Sequence, residues 1–218
     1  GYIEFLRRNR ERSIIKVVSG IRRCGKSTLF RLFKDELLAE GVKPEQIISI
    51  NFEELEYEPL REYHALYQYI LNQMQPNQMN YIFLDEIQHV DQFHRVVDSL
   101  FVKENTDIYI TGSNAYFMSS DIATLLTGRY VEIQMLPLSF AEFYYSKYEE
   151  QQYSLIPAYE AYLRESSFPY TQQLGGEDFD IQEYLRGLFN TLLLHDVVAR
   201  LKINDVTILQ DIVRYIMA

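Results

Sequence analysis

Gly20-Ile21-Arg22-Arg23-Cys24-Gly25-Lys26-Ser27-Thr28 satisfies G-x-x-x-x-G-K-[ST] at every required position. The run before it, Ser13 to Ser19, has the β-branched content of a buried strand. After it, Leu29, Leu32, Phe33, Leu37 and Leu38 recur at helical spacing. The stretch therefore has the strand, loop and helix context that its pattern demands. Gly20 and Gly25 let the backbone wrap around an anion, and amide groups meet it together with the positive end of the following helix. The whole loop, Cys24 and Thr28 included, reads as a cradle for nucleotide phosphates. Lys26 is expected to reach the β- and γ-phosphates, and the Ser27 hydroxyl to sit on Mg²⁺. Arg22 and Arg23 either add positive charge near the phosphates or point into solvent.

A second signal is Tyr81-Ile82-Phe83-Leu84-Asp85-Glu86, an apolar run that ends in two acids. A strand buried on both faces of a parallel sheet is apolar throughout, and its C-terminal end points at the ligand crevice. Asp85 is expected there to help hold Mg²⁺ through its water shell, and Glu86 to orient and polarise an attacking water. An acidic helix cap is the other reading of the pair; the complete phosphate loop upstream weighs against it. His89 reads as an exposed loop residue rather than a general base.

Further strands are expected at Gln46 to Phe52, Asp107 to Thr111 and Tyr130 to Met135, with helices at Leu60 to Met74, Phe93 to Glu104 and Met118 to Thr127. The acidic stretch Glu53 to Glu58 reads as a loop. The fourth strand ends in Gly112-Ser113-Asn114, where a polar side chain can sense the γ-phosphate; Asn114 is preferred to Ser113, although turn chemistry also puts such residues there. Arg129 stands at the entry to the fifth strand. It either presents a guanidinium to transition-state charge or meets the dipole at a helix end. Gly1 to Arg12 either closes over the base or is a solvated helix end.

Strands alternating with helices require a parallel α/β sheet with crossover connections. This gives a nucleotide-binding α/β domain over residues 1–138. From Ser139 strand signals nearly vanish, and Phe140 to Tyr148, Ser154 to Glu165, Ile181 to Leu201 and Val206 to Met217 read as the helices of a second part, 139–218. Its aromatic residues, Phe140, Phe143, Tyr144, Tyr145, Tyr148 and Tyr153, are better read as packing than as base-stacking platforms.

A chain of 218 residues with 47% hydrophobic side chains can bury a substantial core. Its formal net charge of −10 repels a phosphate backbone, so nucleic-acid binding through this segment is disfavoured. No apolar run approaches the length of a membrane span, and no signal-peptide layout opens the chain. A single cysteine, Cys24, excludes an internal disulfide; with the nucleotide loop it points to the cytoplasm. The chain starts at Gly1 rather than Met, so neither end is treated as natural.

Together these pieces resemble the AAA+ superfamily of P-loop NTPases. They look particularly like the bacterial and archaeal ATP-binding family that carries a C-terminal domain of unknown function, whose members read GIRRCGKSTL, INFE, FLDEIQ, ITGSNA, LLTGRYVEI and LPLSF in this order. The resemblance covers most of Ile14 to Tyr145. It implies a five-stranded parallel sheet in the order 5-1-4-3-2, a helical lid, and ATP or ADP with Mg²⁺ as ligands. It also implies that Lys26 and Ser27 belong to the first nucleotide motif, Asp85 and Glu86 to the second, and Asn114 or Ser113 to the sensor. Arg129 matches the finger that acts on a neighbouring subunit of a homo-oligomer, and Asn51 matches a residue that holds the catalytic glutamate inactive. The lid departs from the family's GGFP, reading Ser166-Ser167-Phe168-Pro169, and its second-sensor arginine is one of Arg164, Arg186 and Arg200. Family members are longer, so the effector is expected to lie outside this stretch. The resemblance implies an ATPase working on an unknown protein partner; a nucleotide switch without turnover and a DNA-handling motor are the rival readings.

Overall fold

Every apolar run of the first half becomes a strand, and every strand pairs in parallel. The computed structural model describes residues 1–113, 126, 128–148, 153–174, 178–192 and 206–217. The strands are β1 (Ile15–Gly20), β2 (Ile47–Asn51), β3 (Asn80–Asp85), β4 (Thr106–Ser113) and β5 (Tyr130–Met135). They form one sheet in the order β2-β3-β4-β1-β5, which is the order that the resemblance implies.

Alternation along the strands sorts the core into two layers. Ile15, Val17, Ile82, Leu84, Ile108 and Ile110 face one side, under α3 (Tyr63–Gln73) and α4 (Phe93–Phe101). Val18, Tyr81, Phe83 and Tyr109 face the other, under α1 (Tyr2–Asn9) and α2 (Lys26–Ala39). In the second layer Phe83 stacks on Tyr109 at 4.7 Å, and Phe30 meets Phe83 edge-on at 5.2 Å. Such pairs contribute about 0.5–1.5 kcal/mol each beyond their burial. β1 and β3 are buried along their whole length, whereas β2 and β5, at the two edges, are only partly covered.

Three segments differ from expectation. Gly1 to Arg12 forms a helix whose end, Glu11 to Ser13, is exposed, as one of its two readings has it, but α1 also inserts Leu6 into the core, and Arg7 grips Glu36 of α2 through two bonds of 2.7 Å. The acidic stretch after β2 is partly wound, as a 3₁₀ turn over Leu55–Arg61. The helix at Phe93 stops at Phe101 rather than Glu104, because the Thr106 hydroxyl donates to the carbonyls of Leu100 (2.8 Å) and Lys103 (3.0 Å). The helix expected over Met118–Thr127 lies, Leu126 apart, outside the described residues.

Two compact units divide the chain at Pro137, one Gly1–Pro137 and the other Leu138–Ala218. The second contains α5 (Phe140–Tyr148), α6 (Leu155–Glu165), a 3₁₀ turn Pro169–Gln173, α7 (Asp178–Leu192) and α8 (Val206–Met217). Ser139 and Glu142 exchange side-chain bonds with each other's backbone N–H and so cap α5. The aromatic residues of this unit pack on one another: Phe143 on Tyr162 (5.3 Å), Phe140 on Tyr159 (5.1 Å), Tyr148 stacked on Tyr153 (4.5 Å). Among the described residues no helix is long and apolar enough to cross a membrane.

Candidate functional site

The loop Gly20–Thr28 leaves the C-terminal end of β1 and enters α2 at Lys26. Register explains its first glycine. Gly20 lies opposite Met135, and a Cβ there would stand 2.3 Å from the Met135 carbonyl oxygen and 2.9 Å from the Cys24 sulfur. Gly25 caps α2 at φ +109°, a conformation that side-chain-bearing residues rarely adopt. Cys24 is buried inside the loop, its N–H donates to the Ile21 carbonyl at 3.4 Å, and burial pushes its thiol above the ordinary value. Arg22 approaches Glu53 at 3.8 Å, while Arg23 is exposed. Ser27 and Thr28, also exposed, follow Lys26 at the start of α2.

Lys26 is 3% exposed. Its ammonium donates to the carbonyls of Gly20 and Ile21, both at 3.2 Å, and pairs with Glu86 Oε1 at 3.0 Å. The loop's cation and the acid after β3 thus converge on one point, brought there by strands that end at the same edge of the sheet.

Asp85 ends β3, and Glu86 follows in the left-handed region at φ 53°. Thr111 of β4, fully buried, holds both. Its oxygen accepts from the Glu86 N–H at 2.8 Å, and its hydroxyl donates to Asp85. The two acids are pushed apart in acidity. Burial raises the Asp85 carboxyl, against hydrogen bonds from Ser27 and Thr111. Burial acts the same way on Glu86, but the Lys26 charge and a hydrogen bond from Gln88 outweigh it and leave that carboxyl below its usual value. Two neighbouring carboxyls driven in opposite directions are an arrangement suited to separate roles.

The donor set near the loop, a Ser27 hydroxyl in contact with the Asp85 carboxylate, fits a hard divalent cation. A second set, Glu53, Glu86 and His89, brings one ligand-type atom from each residue within 4.8 Å of the others. Lys26 pairs with Glu86 in that set and opposes a cation there. His89, expected to be exposed, is partly buried, and burial with the nearby Arg61 charge lowers its pKa.

Of the other sequence candidates, Asn51 stands in register with Asp85 on the neighbouring strand. Asn51 bonds Glu54 (3.2 Å) and the Glu53 N–H (3.1 Å), so its amide serves its own turn while Glu86 is held by Lys26 and Gln88. Ser113 ends β4 opposite Gly20; its side chain and Asn114 lie outside the described residues. Arg129 stands at the opposite edge of the sheet from the loop, its carbonyl bonded to the Ile15 N–H. Its guanidinium pairs with Asp98 at 2.8 Å and lies 5.9 Å from the Phe101 ring centre. Arg164 lies 3.9 Å from Glu165 within the helical unit, Arg186 is exposed on α7, and Arg200 is outside the described residues. Thr111 and the Gln88 contact were missed by sequence reading. Thr111 reaches Glu86 through the register that pairs the preceding Ile110 with Leu84, which the sequence does not display.

A family model for the AAA domain matches residues 12–144. An uncharacterised protein of Haemophilus influenzae is 37% identical over 218 residues, covering 99% of this chain and 54% of its own length. An uncharacterised protein of Methanocaldococcus jannaschii is 34% identical over 208 residues, covering 88% of this chain and 44% of its own. The chain spans about half the length of these curated relatives. Among solved structures, the replication initiator DnaA bound to AMPPCP and single-stranded DNA aligns with a TM-score of 0.55 at 12% identity, over 91% of this chain and 68% of that one. At that identity the likeness concerns the fold alone. The family match takes in the phosphate loop, the Asp85-Glu86 pair and the sheet that joins them, and on it the chain belongs to the AAA domain family of P-loop ATPases.

Proposed function

We propose that this chain binds ATP with Mg²⁺ and hydrolyses it, driving a movement of its helical part and of whatever follows. The observation that carries the reading is the convergence of a buried Lys26 and an ionised Glu86 at 3.0 Å, beside Asp85 and Ser27. The choice of ATP rests on the family resemblance, with the DnaA of the same fold bound to AMPPCP.

Lys26 is the cation that meets the phosphates, at the N-terminus of α2 where backbone and dipole already favour an anion. Its move from Glu86 to phosphate oxygen releases Oε1 of the carboxylate. With that positive charge neutralised, the influence that holds Glu86 below its usual value weakens, and its basicity rises just when substrate is present. Glu86 then takes a proton from the attacking water. Mg²⁺, held by Ser27 and through Asp85, would supply charge neutralisation at the phosphates. Thr111 keeps the two acids in register. Arg129 is assigned to a neighbouring subunit's nucleotide. A cytoplasmic setting and a protein partner complete the reading; the net charge of −10 disfavours nucleic acid.

The test is phosphate release from Mg²⁺-ATP by the full-length protein, with Glu86→Gln alongside and nucleotide binding measured for both. The expected result is a loss of turnover of about 10²–10⁴-fold with binding retained. Tight binding without turnover in either form would overturn the enzyme reading and leave a nucleotide-controlled switch.

A further inference from the structure

Gln88 sits in the 3₁₀ turn Ile87–His89, two residues after the acid proposed to activate water. Its Nε2 donates to Glu86 Oε2, while Lys26 occupies Oε1. The orientation of the amide is fixed by chemistry, since an ionised carboxylate only accepts and must meet the NH₂ group. The amide oxygen Oε1 is therefore the atom of the amide that makes no bond to Glu86. It is buried, and among the described residues it has no hydrogen-bond partner. A buried acceptor left unpaired is costly, so one standing beside Glu86 in its left-handed conformation points to a ligand.

A water molecule is the ligand whose two hydrogens match two acceptors. It would donate one hydrogen to Glu86 Oε1, once Lys26 has moved to phosphate, and the other to Gln88 Oε1. Both hydrogens would then be held by the protein, leaving a lone pair for attack. We propose that Gln88 positions the reaction: it locks the Glu86 carboxylate through Oε2 and takes the second hydrogen of the attacking water. The inference rests on the ATPase reading above.

Gln88→Met keeps side-chain volume and removes both hydrogen bonds. In the full-length protein it is expected to lower kcat by about 10–100-fold, with KM for Mg²⁺-ATP and nucleotide affinity within about threefold of the unmodified protein. Gln88→Asn, which shortens the reach but keeps the amide, should recover part of the rate. In a Glu86→Gln background, Gln88→Met should add no further loss, because both act on the same water. Unchanged kcat in Gln88→Met, while Glu86→Gln is inactive, would overturn this inference and leave the ATPase reading standing. An unmodified protein without turnover would overturn both. Should Gln88→Met fail to fold, the Gln88→Asn rate and its dependence on Glu86 decide the matter in the same way: an unimpaired rate overturns the proposal.

Discussion

Gly20 shows how much one missing side chain can decide. It ends β1, faces the backbone of Met135, and turns the chain into the phosphate loop. Gly20→Ala would drive a methyl to 2.3 Å from the Met135 carbonyl, and that atom belongs to β5 rather than to a movable side chain. Either β5 or the loop must shift. The expected loss of stability is about 1–3 kcal/mol. Where the loop is the part that shifts, nucleotide affinity should fall with the stability; thermal denaturation with and without Mg²⁺-ATP checks both. A variant that kept full stability and full affinity would show that the close approach at this position is not a constraint. Lys26, Asp85 and Glu86 were legible in the sequence because the loop pattern and the apolar run fix their positions by spacing alone. Thr111 and Gln88 were not, for a physical reason. The first acts through the register between β3 and β4, and the second through a turn closed by Glu86 in a left-handed conformation. Neither register nor a positive φ at glutamate leaves a mark in composition or periodicity.

At the scale of elements, the sheet was legible because its inner strands β1 and β3 are buried on both faces, so apolar runs name them directly, and the edge strands keep the β-branched and aromatic residues of a half-covered strand. The attachment of α1 was not, because what fastens it is polar and lies deep. Lys16 of β1, fully buried in a strand otherwise read as apolar, pairs with Asp107 of β4 and donates to the Arg12 carbonyl at 2.9 Å. Asp107 also accepts from the Glu11 N–H (2.8 Å) and the Tyr109 hydroxyl (2.7 Å). One carboxylate thus ties the tail of α1 to two central strands. Asp107→Asn would leave the Lys16 ammonium buried without its counter-charge, at an expected cost of about 3–5 kcal/mol. The pH dependence follows from sign. Burial already lowers the Lys16 pKa from 10.5, so in the window between the folded-state value and 10.5 the unfolded chain binds the extra proton and stability rises with pH. Without Asp107 the folded-state pKa falls further. The deficit of the variant should therefore be largest near neutrality and shrink as pH approaches 10, which denaturant titrations at several pH values would measure. A deficit independent of pH would mean that Lys16 is not the group left stranded.

At the scale of the whole molecule, the sheet keeps the phosphate loop and Arg129 apart. The loop, Asp85 and Glu86 stand at the C-terminal ends of the strands, whereas Arg129 precedes β5 at the opposite edge, bonded to the first residue of β1. Five residue steps of β1, at ~3.3 Å each, put about 16 Å of paired strand between these edges. No side chain spans that distance, so a chain cannot offer Arg129 to its own nucleotide without dismantling β1 and β5. Any catalytic part for Arg129 must be played on a second copy. Its pair with Asp98, partly exposed, contributes only ~0–1 kcal/mol, so removal should leave the fold intact. Arg129→Ala is then expected to lose turnover, by up to about 10³-fold or more for a finger of this kind. Asp98→Asn, which breaks the pair but keeps the guanidinium, should retain turnover. The decisive step is to mix Arg129→Ala with Glu86→Gln in the full-length protein. Each variant is inactive alone, yet where they meet one chain supplies the glutamate and the other the arginine, and one complete site forms. Phosphate release should reappear on mixing and rise with total protein concentration. If the mixture stays as inactive as its components while both variants still assemble and bind nucleotide, the two residues do not meet at a shared site, and Arg129 is an ordinary surface partner of Asp98.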